Sequence, residues 1–599
     1  MRKTHLALLV AAFALLLGAS VIQAKTAFPA SSELTASAAD PAPARLAGAS
    51  GDAAGKGERP PAIPTLAPDQ ATPAPDATPA PVGKNPSGSS AVVPIIYRFF
   101  DFGNDWQTLR PELGPIGSIH FYMWEDVNPA PGVYNWSIIE QNMALERRLS
   151  VTLQNGQVIS KPVVLQIFPY ISSSSYPGWE NIFFYDDTPQ WVYDRVDQQN
   201  PGNPRPIVNN HKVGYVLEAC GRTAVLPMYD NETWQNAYYD LIRAFGARYR
   251  NDPQVTSVVI NIGLDGETQL IKDYYCNWEE LVDQRLGGLR YRFGQYTYKV
   301  MDVYRAAFPN KTIFVNNAPG GSGVRLATSN YAAGLTPPVG LKNSSLWVDR
   351  DSHQGYGNFV GMWDMVDYYS MTLPIWLESA YGFGSPELMY WTLLAGLHYH
   401  PDAIDLHPDF LTRLSPELLR WTGAHLGRTI QDTPSVFIAL RDWEYPYQSW
   451  GDGGVSGHMG DWTFWLTRKE PADGRTVRIW RENMPSAAQG HMFSRQARRT
   501  DQANGSQYIY LDIADAYPYV GQKPISEPGG NVSYLIKVIF MNSGTDTISL
   551  QYKNYAGELV SQTLRKGTTL GPVNTWVTYT FTVLDGYLNN NLAGPSYLS

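Results

Sequence analysis

Eight short apolar runs, separated by stretches with helical spacing, occupy the middle of this chain. They lie at 93–98, 118–123, 163–168, 256–262, 312–316, 345–348, 375–377 and 403–406. Several lack the apolar–polar alternation of a sheet with one wet face. They read as strands covered on both sides, as in a parallel sheet. The segment 137–149 begins at Ser137 with Glu140 three residues on, a capping-box pattern. The segment 231–250 carries Trp234, Ala237, Tyr238, Leu241, Ile242 and Phe245 at helical spacing. Segments 291–308 and 386–397 fit a helix as well. This alternation predicts an α/β fold, a (β/α)8 TIM barrel over 93–432. A doubly wound open sheet is the competing fold, but no Gly-rich phosphate loop follows the first strand.

The 599 residues exceed what one ordinary core organises, so further segments are expected. Residues 1–24 read as a signal peptide, with Arg2 and Lys3, an apolar stretch from Leu6 to Leu17, and Ala24 for cleavage. The apolar stretch is too short for an ordinary membrane helix. The expectation is export, secreted or at the cell surface, with no membrane span after cleavage; an uncleaved signal anchor is the alternative. Residues 25–92 are rich in Pro and Ala, and Ala71-Thr-Pro-Ala-Pro75 recurs at 77–81. Such a segment buries too little apolar surface to fold and reads as a disordered linker. Beyond 433, strand-like runs at 508–513, 532–540, 547–552 and 575–583 suggest an antiparallel β-sandwich accessory domain to 599. Net charge −9 and the absence of a Lys/Arg stripe argue against a nucleic-acid partner. The two cysteines, Cys220 and Cys276, form either a disulfide or two buried thiols, and export favours the disulfide.

Two carboxylates stand out. Glu267 closes the apolar run 257–267, and Glu378 closes 374–378. Strand counting puts them on strands four and seven, on opposing parts of the rim where barrels build active sites. A lone glutamate at a strand end is usually a solvated loop residue. A matched pair on this rim is the minimum for cleaving a glycosidic bond. By alternation Asp265 shares the side of Glu267, and Trp376 the face of Glu378. Tyr122, Trp124, Asn317, His353 and His407 lie at strand ends or loops and could line a sugar site. Glu125 is a rival carboxylate, supporting the site or serving as the acid itself. Of the 18 Trp and 37 Tyr, packing takes most, and a handful could stack on sugar faces. His120 and His211 read as structural, and Asp349 to Asp351 as a loop salt-bridge cluster. His398 and His400 lack a third metal ligand nearby. No cofactor and no metal are expected.

Three blocks resemble clan A glycoside hydrolases. Residues 120–136, His-Phe-Tyr-Met-Trp-Glu-Asp-Val-Asn-Pro-Ala-Pro-Gly-Val-Tyr-Asn-Trp, resemble that clan's strand followed by "W…P..G.Y.W". Trp234 through Phe245-Gly-Ala-Arg-Tyr249 and Asp252-Pro253, then the strand ending at Glu267, resemble the unit that delivers its acid/base. Glu378 falls where its nucleophile sits. The resemblance covers about 93 to 430 and implies a glycoside hydrolase acting on a β-linked oligo- or polysaccharide. It implies retention by double displacement, with Glu267 as acid/base and Glu378 as nucleophile. The alternative reading is a non-catalytic carbohydrate-binding cell-surface protein. One departure is clear. Most of the clan has Asn before the acid/base, to contact the sugar 2-hydroxyl, and Gly266 stands here. That contact must come from elsewhere, with Asn261, Asn316 and Asn317 as candidates.

Overall fold

The computed structural model describes residues 93, 95–98, 111–153, 156–172, 184–272, 276–317, 323–344, 346, 363–379, 386–440, 461–469, 478–481, 496–500 and 507–589. The signal-peptide and linker segments, His353 and Asp349 to Asp351 lie outside them.

Eight parallel strands close into a barrel: β1 (Ile96–Arg98), β2 (Ile116–Met123), β3 (Val163–Phe168), β4 (Val255–Ile260), β5 (Thr312–Asn317), β6 (Gly340–Asn343), β7 (Ile375–Ser379) and β8 (Ala403–Leu406). Each pairs with its sequence neighbour, and β1 pairs with β8 to close the ring. Helices follow the strands: α1 (Ser137–Glu146), α2 (Glu232–Tyr249), α3 (Leu289–Ala307), α4 (Gly323–Gly334), α5 (Trp363–Tyr369), α6 (Pro386–His398) and α7 (Pro416–His425). Together these elements make a (β/α)8 TIM barrel.

The sixth strand departs from the sequence reading. It is Gly340-Leu-Lys-Asn343 rather than 345–348. A glycine and a lysine disguise it, yet the barrel interior requires the glycine. Phe314 of β5 lies in register with Gly340, and a Cβ on that glycine would fall 2.8 Å from the Phe314 ring. The expected capping box on α1 also does not form. Trp136 occupies the N-cap, Ser137 bonds back to Asn135, and Glu140 meets Arg147 and Arg248. Asn231 does cap α2, accepting from the Trp234 N–H at 3.0 Å.

Two apolar cores result. The larger lies between strands and helices. The smaller fills the barrel itself: Ile95, Tyr97, Ile119, Val164, Val259, Phe314, Trp376 and Ala403. Trp376 sits at its centre, 4.6 Å from the Tyr97 ring and 5.3 Å from Phe314. Because side chains alternate along a strand, this cluster fixes which residues point inward.

Beyond α7, the strand Phe437–Ala439 pairs antiparallel with Trp462–Phe464 and leans on the barrel helices, where Phe464 meets His400 and His425. Further along, β9 (Tyr534–Met541) pairs antiparallel with β12 (Trp576–Val583), and β10 (Thr547–Lys553) with β11 (Leu559–Arg565). The C-terminal part is thus antiparallel β structure in two-stranded sheets. Among the described residues no helix is long and apolar enough to cross a membrane.

Trp376 was expected to face a sugar. It is fully buried inside the barrel. Trp376→Ala should therefore cost about 3–5 kcal/mol of stability, the range for emptying a large aromatic site. Denaturant unfolding at fixed m-value measures it. A loss below about 1 kcal/mol would mean the barrel interior is not packed around this ring.

Candidate active site

The inward rows of the barrel read off the register. Asn316, Lys342, Trp376 and Ala403 form one row, each paired to the next. One step toward the C-terminal rim stand Glu378 of β7 and Asp405 of β8, themselves register partners. Polar and charged groups thus begin where the apolar plug ends.

Glu378 accepts a hydrogen bond from the Lys342 ammonium. Lys342 is also 3.7 Å from Asp405 Oδ2. Asp405 Oδ1 accepts from Trp376 Nε1 at 2.5 Å. All three charged groups are buried. Burial holds the Asp405 carboxyl above its ordinary range, against the pull of Lys342 and the Trp376 N–H. Burial likewise pushes the Lys342 ammonium down, opposed by Asp405 and Glu267. The backbone helps place Glu378, since the Leu346 N–H donates to its carbonyl at 2.8 Å.

Glu267 is not on the strand itself. β4 ends at Ile260, and a tight turn at Leu264–Gly266 follows. In that turn Asp265 has φ 54° and Gly266 φ 76°. The turn delivers Glu267 beneath Ser344, whose hydroxyl donates to Oε1 at 2.9 Å. Gln269 donates to Oε2, and Lys272 Nζ lies 3.6 Å from it. Burial raises the Glu267 carboxyl above its ordinary range; Asp265 adds to this, while Lys272, Ser344 and Lys342 oppose it. Ser344 and Lys342 are two residues apart near the end of β6, about 7 Å along an extended chain. One short stretch of backbone therefore anchors both carboxylates.

Gly266 now has a physical reason. A Cβ there would lie 2.1 Å from Asn261 Oδ1 and 2.8 Å from the Phe168 ring, at a left-handed φ. Asn261 fills the place beneath it, donating to the Ile167 carbonyl at 3.1 Å. Asn316 is buried on the inward row, while the side chain of Asn317 lies outside the described residues.

Other expected site residues fall elsewhere. With Ile119 inside the barrel, alternation turns Tyr122 outward, where its hydroxyl meets His120 and Asn142 of α1. Trp124 is buried against Trp234 and Tyr238 of α2. Neither reaches the barrel mouth. Asp265 turns away from Glu267, accepting from Ser172 N at 2.7 Å, from its hydroxyl at 2.8 Å, and from Lys272. Glu125 accepts from the Tyr185 hydroxyl at 2.9 Å. His407 caps the short helix Pro408–Arg413. His120 lies 3.4 Å from the buried Glu146, and His211 meets Gln190 and the Asp186 carbonyl. His398 bonds Thr463, and His400 packs on Phe464 and Trp465.

Sequence reading missed Lys342, Ser344 and Asp405. Phe121 and Phe168, edge to face at 5.7 Å, were missed too, although both are inward positions near the rim. An acid inside the apolar run Ala403-Ile-Asp-Leu406 was the one available signal.

Cys220 and Cys276 form a disulfide with Cα atoms 6.1 Å apart. It joins the tip of the hairpin Tyr215–Ala219/Arg222–Leu226 to the segment that follows Glu267. The loop carrying Glu267 is thereby tied at its far end.

No protein-family model matches the chain, and no curated protein matches it in sequence. Among solved structures, it is similar to a β-galactosidase from the Antarctic haloarchaeon Halorubrum lacusprofundi, at 12% identity and a TM-score of 0.28, over 52% of this chain and 52% of that chain. It is similar to the β-galactosidase of the psychrophilic Marinomonas ef1, at 10% identity and TM-score 0.30, over 55% and 58%. Endo-glycoceramidase II from Rhodococcus sp. matches at 11% identity and TM-score 0.32, over 84% and 99%. The chain spans little more than half the length of the two β-galactosidases. Likeness at this level carries no inference about activity. The barrel stands on its own strand pairing.

Two outcomes follow from this geometry. Gly266→Asn, the residue the clan would supply, should destabilise the fold by about 2 kcal/mol or more through backbone strain and the clash with Asn261. A Tm unchanged by that substitution would contradict the turn described here. Closing 56 residues of chain, the disulfide should contribute up to about 4 kcal/mol. Cys276→Ser should show that loss in denaturant, and the unreduced, unfolded protein should release no titratable thiol.

Proposed function

We propose that the chain is an exported glycoside hydrolase that cleaves a β-linked oligo- or polysaccharide with retention of configuration. The observation that carries this reading is the unlike setting of two buried carboxylates at the barrel mouth. Burial raises the Glu267 carboxyl above its ordinary range, the direction that suits a general acid. Glu378 lies against the buried Lys342 ammonium. An acid that holds its proton beside a carboxylate matched to a cation is the division of labour that glycosidic cleavage needs.

In this scheme Glu267 protonates the glycosidic oxygen as the bond to the anomeric carbon breaks. Glu378 attacks that carbon and forms a glycosyl ester. Water then enters, Glu267 takes its proton, and the ester opens to release the sugar and regenerate both glutamates. Asn316, on the inward row, would be the candidate for a sugar hydroxyl, while Asn261 is committed beneath Gly266. The Cys220–Cys276 disulfide suits an oxidising, extracytoplasmic compartment. The linker would hold the barrel away from a cell surface, and the C-terminal strands would close into a sandwich serving as an accessory module.

The test is turnover of aryl glycosides and polysaccharides by wild type, Glu267→Gln and Glu378→Gln. Glu378→Gln should be inactive on all of them. Glu267→Gln should lose about 10²–10⁴-fold on unactivated glycosides and much less on aryl glycosides with good leaving groups. Wild-type kcat/KM should fall as pH rises through the raised Glu267 pKa, since the acid must hold its proton. That basic limb should vanish in Glu267→Gln. Activity surviving both substitutions would move the chemistry to another carboxylate, Glu125 first. Polysaccharide binding without turnover by wild type would favour the non-catalytic reading.

A further inference from the structure

Lys342 belongs to none of the roles above, yet it is a buried charge inside the barrel. It stands on β6, points into the barrel on the row of Asn316 and Trp376, and its side chain is 1% exposed. An ammonium in such a place is unfavourable unless it is paired and hydrogen-bonded. Two carboxylates lie in direct reach, Glu378, which it bonds, and Asp405 at 3.7 Å, with Glu267 acting on it from farther off. Asp405 is itself held by the Trp376 N–H. The result is a chain of contacts: Trp376 to Asp405, Asp405 to Lys342, Lys342 to Glu378.

We propose that Lys342 is a positioning residue for the glycosidic reaction, fixing the Glu378 carboxylate and balancing its charge. The proposal rests on the reading of Glu378 as nucleophile. Among the described residues, the charged groups placed at Glu378 are Lys342 from β6, which bonds it, and Asp405 from β8, its register partner; His407 lies two residues beyond Asp405, and Glu267 and Lys272 follow β4. Without a cation, Glu378 and Asp405, adjacent in register, would compete for a proton, as like charges at close range do. Lys342 removes that competition. It bonds Glu378 directly and reaches Glu267 only through its charge, while Ser344 and Gln269 make the hydrogen bonds to Glu267.

A neutralising role toward Asp405 alone would also explain a buried lysine. The two roles separate by mutation. Lys342→Met removes the cation from both carboxylates. Lys342→Met combined with Asp405→Asn removes one charge of each sign, so the pocket keeps its balance even if the single variant folds poorly. On the 4-nitrophenyl β-glycoside that wild type turns over fastest, both variants should lose at least about 100-fold in kcat, as when one preorganised donor is removed. KM should change by less than about threefold. The acidic limb of kcat/KM, set by Glu378, should move up by at least one pH unit, and the basic limb, set by Glu267, should also move up, since the Lys342 charge holds that carboxyl down. A double variant with wild-type kcat and an unmoved acidic limb would overturn the proposal and leave Lys342 a structural counter-ion. Glu378→Gln, assayed beside them, distinguishes the two failures. An inactive Glu378→Gln with normal Lys342 variants defeats only this inference. An active Glu378→Gln defeats the reading beneath it and the inference with it.

Discussion

Tyr97, Phe314 and Trp376 plug the barrel, and the position of that plug decides where polar chemistry can begin. Below it the inward row carries only small uncharged residues beside Val164, namely Ser257 and Thr312. Above it, within one step of each strand, stand Glu378, Asp405, Ser344 and, on the Trp376 row itself, Lys342 and Asn316. The plug also needs room, and Gly340 concedes it to the Phe314 ring. The same short strand then turns polar at Lys342 and Ser344. Packing and chemistry are therefore coupled on β6 within five residues.

The charges at the mouth are sorted by contact rather than by sequence. Three carboxylates converge, and in a low-dielectric space they cannot all ionise without compensation. Lys342 lies between Glu378 and Asp405. Glu267 has neutral donors in Ser344 and Gln269, with Lys272 at a longer distance, and burial dominates its titration. It is delivered by a turn rather than a strand, with Gly266 over Asn261 and a disulfide at the loop's far end. The turn, with Ser344 and Gln269 bonding its carboxylate, holds in place a residue that the barrel ladder does not itself fix.

Much of the barrel was legible from the chain. Seven of its strands stand close to where apolar runs placed them, because parallel strands buried on both faces read as unbroken apolar segments. For the same reason the facing of β2 was not legible. Every residue of Ile116–Met123 is buried, so no alternation survives to say whether Tyr122 or Phe121 points inward. Tyr122 and Trp124 were placed in the cleft and lie in the helix layer instead. β6 was displaced because Gly340 and Lys342 look like a turn in one dimension.

The sequence by itself determined the succession of strands and helices, and the two glutamates at the ends of the fourth and seventh apolar runs. Those features follow from local patterning and survive without knowledge of neighbours. Only the tertiary structure decided which side chains face the barrel interior, why Gly266 is glycine, and that a buried lysine meets Glu378. Each of those depends on atoms distant in sequence: Ile119 and Phe314 set facing, Asn261 occupies the space above which Gly266 turns, and Lys342 and Glu378 meet only when β6 and β7 lie side by side. Charge placement of that kind is a property of packing, and no one-dimensional pattern carries it.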